Sequence, residues 1–241
     1  MLLWVLFTCC FILQCFATPL FLKLIWPNRS MKSLAAKMLA ATLFVCVGFL
    51  SVNIANNKSD FAITMVVGLL LGWVGDFFLH SEKNVFFGIG FVSFLAGHIA
   101  YITAYVRALG TFEGYNNLNA VEITVFAALM LVSVFVFKRF KLEFSIKLLK
   151  YAVWVYTAVL SFMFIKATSL GVHFLLNGGQ NGVLALLTLA FGSLFFLLSD
   201  ATIGILMFGG QRKNRPLKIF NIVTYFAGQM LLASSILFVN V

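Results

Sequence analysis

The chain has 241 residues, of which 62% are hydrophobic and only 10% are charged, and its formal net charge is +10. Soluble domains are about one quarter charged and about half apolar, so this composition excludes a soluble globular protein. At roughly 20 apolar residues per bilayer crossing, the chain has room for about eight transmembrane helices and for no separate soluble domain. We therefore expect residues 1–241 to form a single transmembrane helical domain.

Eight apolar segments follow one another along the chain, and each is long enough to cross a bilayer as an α-helix. The predicted spans are 2–24, 35–55, 61–81, 85–106, 119–138, 147–168, 182–208 and 217–239. The first span has no basic segment before it and no clear cleavage site, which favours a retained helix over a signal peptide. Together these segments predict an all-α, polytopic bundle of eight transmembrane helices.

The basic residues lie almost entirely in alternate loops. Fourteen of the 17 Lys and Arg residues follow odd-numbered spans, and only Lys58, Arg107 and Lys166 fall on the other side. The positive-inside rule then places the loops after odd-numbered spans in the cytoplasm and both termini outside. Because the charge follows the topology so closely, it gives no reason to expect a nucleic-acid partner.

Two aspartates lie well inside predicted spans and at similar depths. Asp76 in the third span and Asp200 in the seventh are roughly 8 and 12 Å from the cytoplasmic ends, at about 1.5 Å per residue. A charged carboxylate inside a bilayer costs several kcal/mol, so these two residues call for a functional explanation. The remaining acids lie at helix ends or in loops, where we expect solvated carboxylates: Asp60, Glu82, Glu113, Glu122 and Glu143.

Small residues share the helix face that carries the first aspartate. Gly68, Gly72 and Gly75 have the spacing that places them on one face with Asp76. Membrane helices approach each other most closely along such faces. The glycines alone indicate packing, but with the aspartate they predict a carboxylate that points into the bundle.

Two further spans carry polar strips at helical spacing. The strips are His98, Tyr101 and Tyr105 in the fourth span, and Asn221, Tyr225 and Gln229 in the eighth. A buried histidine is often a structural hydrogen-bond donor, so the first strip is compatible with packing as well as with chemistry. Lys37, near the start of the second span, is either a snorkelling anchor or the counter-charge of an inward-facing aspartate.

The sequence offers no pattern that is typical of a metal or cofactor site. The three histidines lie at three different depths without ligand spacing, and the four cysteines fall in apolar segments. Two carboxyls facing one low-dielectric cavity can act as general acid and base, or as a proton or cation relay. The residues themselves therefore leave an enzyme and a transporter as alternatives, and a protein whose polar residues only specify packing as a third.

Short stretches in the two halves of the chain resemble each other. FLAGH in the fourth span is matched by YFAGQ in the eighth, and Asp76 in the third span parallels Asp200 in the seventh. This echo would suit a parallel repeat of four plus four helices.

Four motifs in this order resemble the lysoplasmalogenase-like, or YhhN-like, family of membrane proteins. The motifs are GLLLGWVGDFFL, FLAGHIAYITAY, LFFLLSDATIGI and TYFAGQMLLASS. The residues that match the family pattern are Gly75 with Asp76, His98 with Tyr101, Ser199 with Asp200, Tyr225 with Gln229, and Lys37. The resemblance covers roughly residues 30 to 235, and it departs from the pattern at Met38, where proline is common, and at His80, where an apolar residue is expected.

The resemblance implies a hydrolase that cleaves the vinyl ether bond of lysoplasmalogens, giving a fatty aldehyde and a glycerophospho-headgroup. It implies Asp76 and Asp200 as the catalytic pair, with no metal or cofactor. The residues it implies for substrate binding are Lys37, His98, Tyr101, Ser199, Tyr225 and Gln229. The expected partners are a lysophospholipid, water and the bilayer. The expected location is the plasma membrane of a bacterium or an internal membrane of a eukaryote.

Overall fold

A computed structural model describes residues 1–26, 28–81, 83–115, 118–177 and 181–240, with the side chain of Asn84 left out. Its helices are α1 (Leu2–Leu24), α2 (Met31–Ile54), α3 (Asp60–Leu79), α4 (Asn84–Leu109), α5 (Ala120–Arg139), α6 (Lys147–Leu176), α7 (Gly182–Phe208) and α8 (Arg215–Ser235). Within these ranges the regular structure is entirely helical, and all eight helices are long and apolar enough to cross a membrane. The prediction of an all-α, multi-pass membrane bundle is confirmed, while the side that faces the cytoplasm stays a prediction from the loop charges.

Helices α2, α4 and α6 are longer than predicted, and the reason is identifiable for α2 and α6. Helix α2 begins four residues early because Ser30 caps it and exchanges hydrogen bonds with Ser33 in a capping box. Helix α6 continues through an apolar stretch to Leu176, so His173, expected in an outside loop, lies in its last turn instead. The extension also places Lys166 well inside the helix, which matters for a polar cluster described below.

The helices pack in two similar groups of four. Within each group consecutive helices are neighbours, and between the groups α2 contacts α8 as α6 contacts α4. Helix α5 packs mainly against α6, and Glu122 is the one residue of α5 that is fully buried among those described. Helix α5 therefore lies at the periphery, whereas α1 still contributes Ala17 and Phe21 to the hydrophobic core.

Close backbone contacts recur at equivalent positions of the two groups. A Cβ atom added at Gly97 of α4 would lie 3.2 Å from the carbonyl oxygen of Gly68 in α3. A Cβ atom added at Gly228 of α8 would lie 2.9 Å from the carbonyl oxygen of Gly192 in α7. Gly68 and Gly192 both precede the aspartate of their helix by the same number of residues. The α3–α4 and α7–α8 pairs thus share one register, which supports the parallel repeat of four plus four helices.

Hydrogen bonds hold the C-terminal end of α3 against the segment that leads into α2. One guanidinium nitrogen of Arg29 donates to the carbonyl oxygens of Leu79, His80 and Ser81 at 3.0, 2.9 and 3.3 Å. A cation at a helix C-terminus satisfies carbonyls that have no partner within the helix. The ring of His80 lies 3.2 Å from the Ser33 hydroxyl. These contacts fix α3 against α2 close to the first aspartate.

Candidate active site

The carboxylate of Asp76 is buried, and side chains from two neighbouring helices, α2 and α8, contact it. Lys37 Nζ lies 3.0 Å from Asp76 Oδ1 and donates to the main-chain oxygen of the same residue at 2.9 Å. The hydroxyl of Tyr225 donates to Asp76 Oδ2 at 2.6 Å. Of the two interpretations open for Lys37, the structure therefore selects the counter-charge. An ion pair with an additional hydrogen bond is the arrangement in which an ionised carboxylate can remain inside a bundle.

A chain of hydrogen bonds extends from this ion pair across α8 to α4. Gln229 Nε2 contacts the Tyr225 hydroxyl at 3.4 Å, and the Tyr101 hydroxyl donates to Gln229 Oε1 at 2.9 Å. A Cβ atom at Gly72 would come within 2.7 Å of Gln229 Nε2. The glycine face of α3 thus makes room for polar side chains of neighbouring helices, as the inward orientation of Asp76 requires.

Asp200 has a different environment, in which its described partners are a tyrosine and a histidine. The hydroxyl of Tyr156 on α6 donates to Asp200 Oδ2, and His98 Nε2 lies 3.3 Å from the same oxygen. His98 Nε2 also lies 2.9 Å from the Tyr156 hydroxyl oxygen. No basic side chain other than His98 pairs with Asp200 within the described part of the chain. The Asp200 side chain keeps 10% of its surface exposed, compared with 3% for Asp76.

Two phenylalanine rings lie between the two carboxylate networks. The ring of Phe196 is 4.7 Å from the His98 ring and 5.4 Å from the Tyr225 ring, centroid to centroid. Phe94 contacts both Phe196 and Tyr225. The aspartates share no hydrogen bond, but they are near enough for their charges to interact. The structure therefore brings the two predicted acids together as adjacent sites rather than as a bonded pair.

Ser199 lies beside this region but makes other contacts. Its hydroxyl donates to the main-chain oxygen of Asn221 at 3.2 Å, and Asn221 Nδ2 donates to the main-chain oxygen of Ser199 at 2.8 Å. This reciprocal pair holds α7 against α8 one residue before Asp200. Neither carboxylate is among its hydrogen-bond partners.

Tyr156 was not among the predicted site residues. In the sequence it is one of six tyrosines, and the positions three and four residues away from it are all apolar, so it belongs to no polar strip. The parallel repeat of four plus four helices does indicate a residue at this place. Helix α6 corresponds to α2, whose Lys37 contacts the aspartate of the following helix, so a partner for Asp200 is expected on α6.

The expectation that Glu122 is solvated was wrong. Glu122 is 4% exposed, and Lys166 Nζ contacts its carboxylate at 2.8 Å. The Ser169 hydroxyl donates to Glu122 Oε1 at 2.6 Å, and Lys166 donates to the Tyr115 hydroxyl at 2.7 Å. The cause is the length of α6, which carries Lys166 past the first turn of α5. This cluster lies at the end of the bundle opposite to the aspartates.

These features together define a class: a multi-pass membrane protein that keeps two carboxylates in its interior, near the same end of two parallel helices. Among the described residues no group of three or more His, Cys, Asp or Glu side chains is placed to hold a metal ion. A family model described as the YhhN family matches residues 30–236, and the chain belongs to that family. No curated protein and no solved structure matches it.

Proposed function

We propose that the protein is an intramembrane hydrolase that cleaves the vinyl ether bond of lysoplasmalogens, releasing a fatty aldehyde and a glycerophospho-headgroup. Membership of the YhhN family is consistent with a lysoplasmalogenase-like membrane protein. The observation that carries the proposal is the contrast between the two carboxylates: Asp76 is paired with a lysine, whereas the partners of Asp200 among the described residues are a tyrosine and a histidine. Carboxyls in contrasting environments are how one site obtains a general acid and an ionised partner.

The reaction needs few protein groups. Protonation of the alkene carbon of a vinyl ether creates an oxocarbenium ion, which water then captures. The resulting hemiacetal collapses to aldehyde and alcohol. A neutral carboxyl supplies the proton, and a fixed negative charge stabilises the cation that follows.

The contacts of the two aspartates favour one division of roles. Lys37 and the Tyr225 hydroxyl both favour the charged form of Asp76, which suits it to stabilise the cation. Asp200 has no cationic lysine or arginine partner among the described ion pairs and keeps part of its surface exposed, which suits it to donate the proton. Tyr101, Gln229 and Ser199 would hold these groups and the substrate in place.

The test is aldehyde release by the purified protein in detergent from an alkenyl lysophospholipid, with the acyl analogue as the substrate control. Asp200→Asn and Asp76→Asn are each expected to lower turnover by about 10²-fold or more, the range of a lost acid or base. Asp60→Asn is the matched control, since Asp60 is 81% exposed at the surface. Wild-type protein that releases no aldehyde would exclude the hydrolase, as would full activity in both interior variants.

A proton- or cation-coupled carrier is the second candidate. The observation that favours it is the Lys37–Asp76 ion pair inside the bundle, because intramembrane ion pairs also mark transport pathways. Uptake of a solute into proteoliposomes that depends on an ion gradient, and that Asp76→Asn abolishes, would favour the carrier over the hydrolase.

A further inference from the structure

We infer that His98, Tyr156 and Asp200 form a proton relay, with His98 Nδ1 at one end and the Asp200 carboxyl at the other. The arrangement assigns a role to Tyr156, a positioning residue that neither the sequence motifs nor the family match singles out. The use of the relay in catalysis rests on the proposed hydrolase, but its existence is a property of these three side chains.

The donors and acceptors follow from the geometry when Asp200 is ionised. A carboxylate only accepts hydrogen bonds, so the single hydroxyl proton of Tyr156 is committed to Asp200 Oδ2. The tyrosine oxygen, 2.9 Å from His98 Nε2, must then accept, and Nε2 must carry a proton. In a neutral imidazole this leaves Nδ1 as a bare acceptor.

His98 Nδ1 is buried and has no hydrogen-bond partner among the described residues. The whole residue is only 1% exposed. Buried polar atoms of native proteins almost always have a partner, and an orphan is a sign of a water or ligand that takes the position. The bare nitrogen is therefore the place where this unit exchanges a proton with a water molecule or a substrate.

A proton bound at Nδ1 can reach Asp200 without the movement of any heavy atom. The Nε2 proton passes to the tyrosine oxygen while the tyrosine proton passes to the carboxylate. One proton has entered at His98 Nδ1, and one has reached Asp200. The loaded unit consists of His98 protonated at Nδ1, Tyr156 again neutral, and Asp200 as a neutral acid. His98 changes tautomer in this process and remains uncharged.

In the proposed hydrolysis the relay returns Asp200 to its acidic form. From the loaded unit, His98 Nδ1 gives its proton to the alkene carbon, while the Tyr156 proton passes to Nε2 and the Asp200 proton passes to the tyrosine oxygen. A C–H bond forms as the π electrons leave the double bond, and an oxocarbenium ion results, with Asp200 now ionised and Nδ1 bare. Water adds its oxygen to the cationic carbon and gives a proton to His98 Nδ1. The relay carries a proton back to Asp200, so one water is consumed and the unit ends as it began.

The spectroscopic test is ¹⁵N NMR of histidine-labelled protein, with His98→Asn used to assign the His98 signals. The titratable groups facing His98 are Tyr156 on α6 and Asp200 on α7, with Asp76 of α3 and Tyr225 of α8 beyond the Phe196 ring. As the pH is lowered, the wild-type ring is expected to change from the Nε2-protonated to the Nδ1-protonated tautomer without becoming doubly protonated. Asp200→Asn is expected to lose this change of tautomer, because an amide side chain cannot take up the proton that the relay delivers.

The kinetic test compares Tyr156, a tyrosine of the relay, with a buried tyrosine outside it. Tyr156→Phe is expected to lower kcat by about 10²-fold with little change in KM, because it removes only the link between base and acid. Tyr105→Phe is the matched control, since Tyr105 is fully buried and its hydroxyl has no partner among the described residues. Thermal unfolding of both variants shows whether either substitution disturbs the fold.

The two tests separate the relay from the proposed function. A His98 that becomes doubly protonated in wild type, or titrates identically in Asp200→Asn, overturns the relay. So does wild-type turnover in Tyr156→Phe. If wild type releases no aldehyde, the hydrolase fails, and the NMR titration alone decides whether the three side chains share a proton.

Discussion

At the scale of single residues, the chemistry of the two aspartates differs because of one lysine. Lys37 pairs with Asp76 inside the bundle, while Asp200 is bonded to two side chains that are neutral in the relay. A neighbouring lysine stabilises the charged form of a carboxylate. We therefore expect Lys37 to decide which role Asp76 takes in the proposed reaction.

Removing Lys37 is expected to destabilise the fold, because the carboxylate of Asp76 would then be buried without a cation. Lys37→Met should lower the free energy of unfolding by about 3–5 kcal/mol, the usual cost of breaking a buried ion pair on one side. Adding Asp76→Asn to that variant should restore part of the loss, since the stranded charge is then gone. Unfolding in detergent measures both, and a double variant less stable than Lys37→Met would contradict the ion pair.

The burial of His80 predicts that the protein loses stability as the pH is lowered. Burial, assisted by the positive charge of Lys37, lowers the pKa of His80 from its ordinary 6.5 to about 4. The folded state thus binds fewer protons than the unfolded state between these two values, and stability falls as the pH is lowered through this window. The melting temperature of His80→Gln should fall less steeply there than that of wild type. Parallel curves for the two proteins would exclude this assignment.

At the scale of helices, two equivalent contacts leave little room for a methyl group beside a backbone oxygen. Gly97→Ala and Gly228→Ala place a Cβ atom 3.2 and 2.9 Å from a carbonyl oxygen of the neighbouring helix. Because a backbone oxygen cannot rotate away as a side chain can, both variants should melt at lower temperature, and Gly228→Ala should lose more.

Gly204→Ala is the control for this comparison. It lies in α7 with no atom within 4 Å of an added Cβ, and alanine is favoured over glycine in a helix by about 0.5–1 kcal/mol. It should therefore leave the melting temperature unchanged or raise it. Equal losses in all three variants would mean that the close contacts do not matter.

The Glu122–Lys166 pair is expected to anchor α5 without a role in catalysis. Helix α5 packs mainly against α6, and this pair is its fully buried polar link. Lys166→Met should destabilise the protein by about 3–5 kcal/mol. Aldehyde release per folded molecule should stay at the wild-type level, since the cluster lies at the other end of the bundle. A loss of turnover in protein that remains folded would assign the pair a second role.

At the scale of the whole molecule, the sequence predicts the spans well because each one is a long apolar run bounded by charged loops. The inward orientation of Asp76 also follows from the sequence, since glycines at helical spacing mark the buried face. Tyr156 and Glu122 could not be predicted in this way. Their roles depend on which helices become neighbours and on how far α6 extends. The sequence pattern within a single span indicates neither of these properties.

The hydrogen bonds of the two aspartates cross between the halves of the molecule. Tyr225 of the second half bonds Asp76 of the first, and His98 of the first half bonds Asp200 of the second. Neither half therefore contains a complete set of contacts. If the two four-helix halves were produced as separate fragments, they would therefore have to assemble in the membrane before either aspartate acquired its full set of partners.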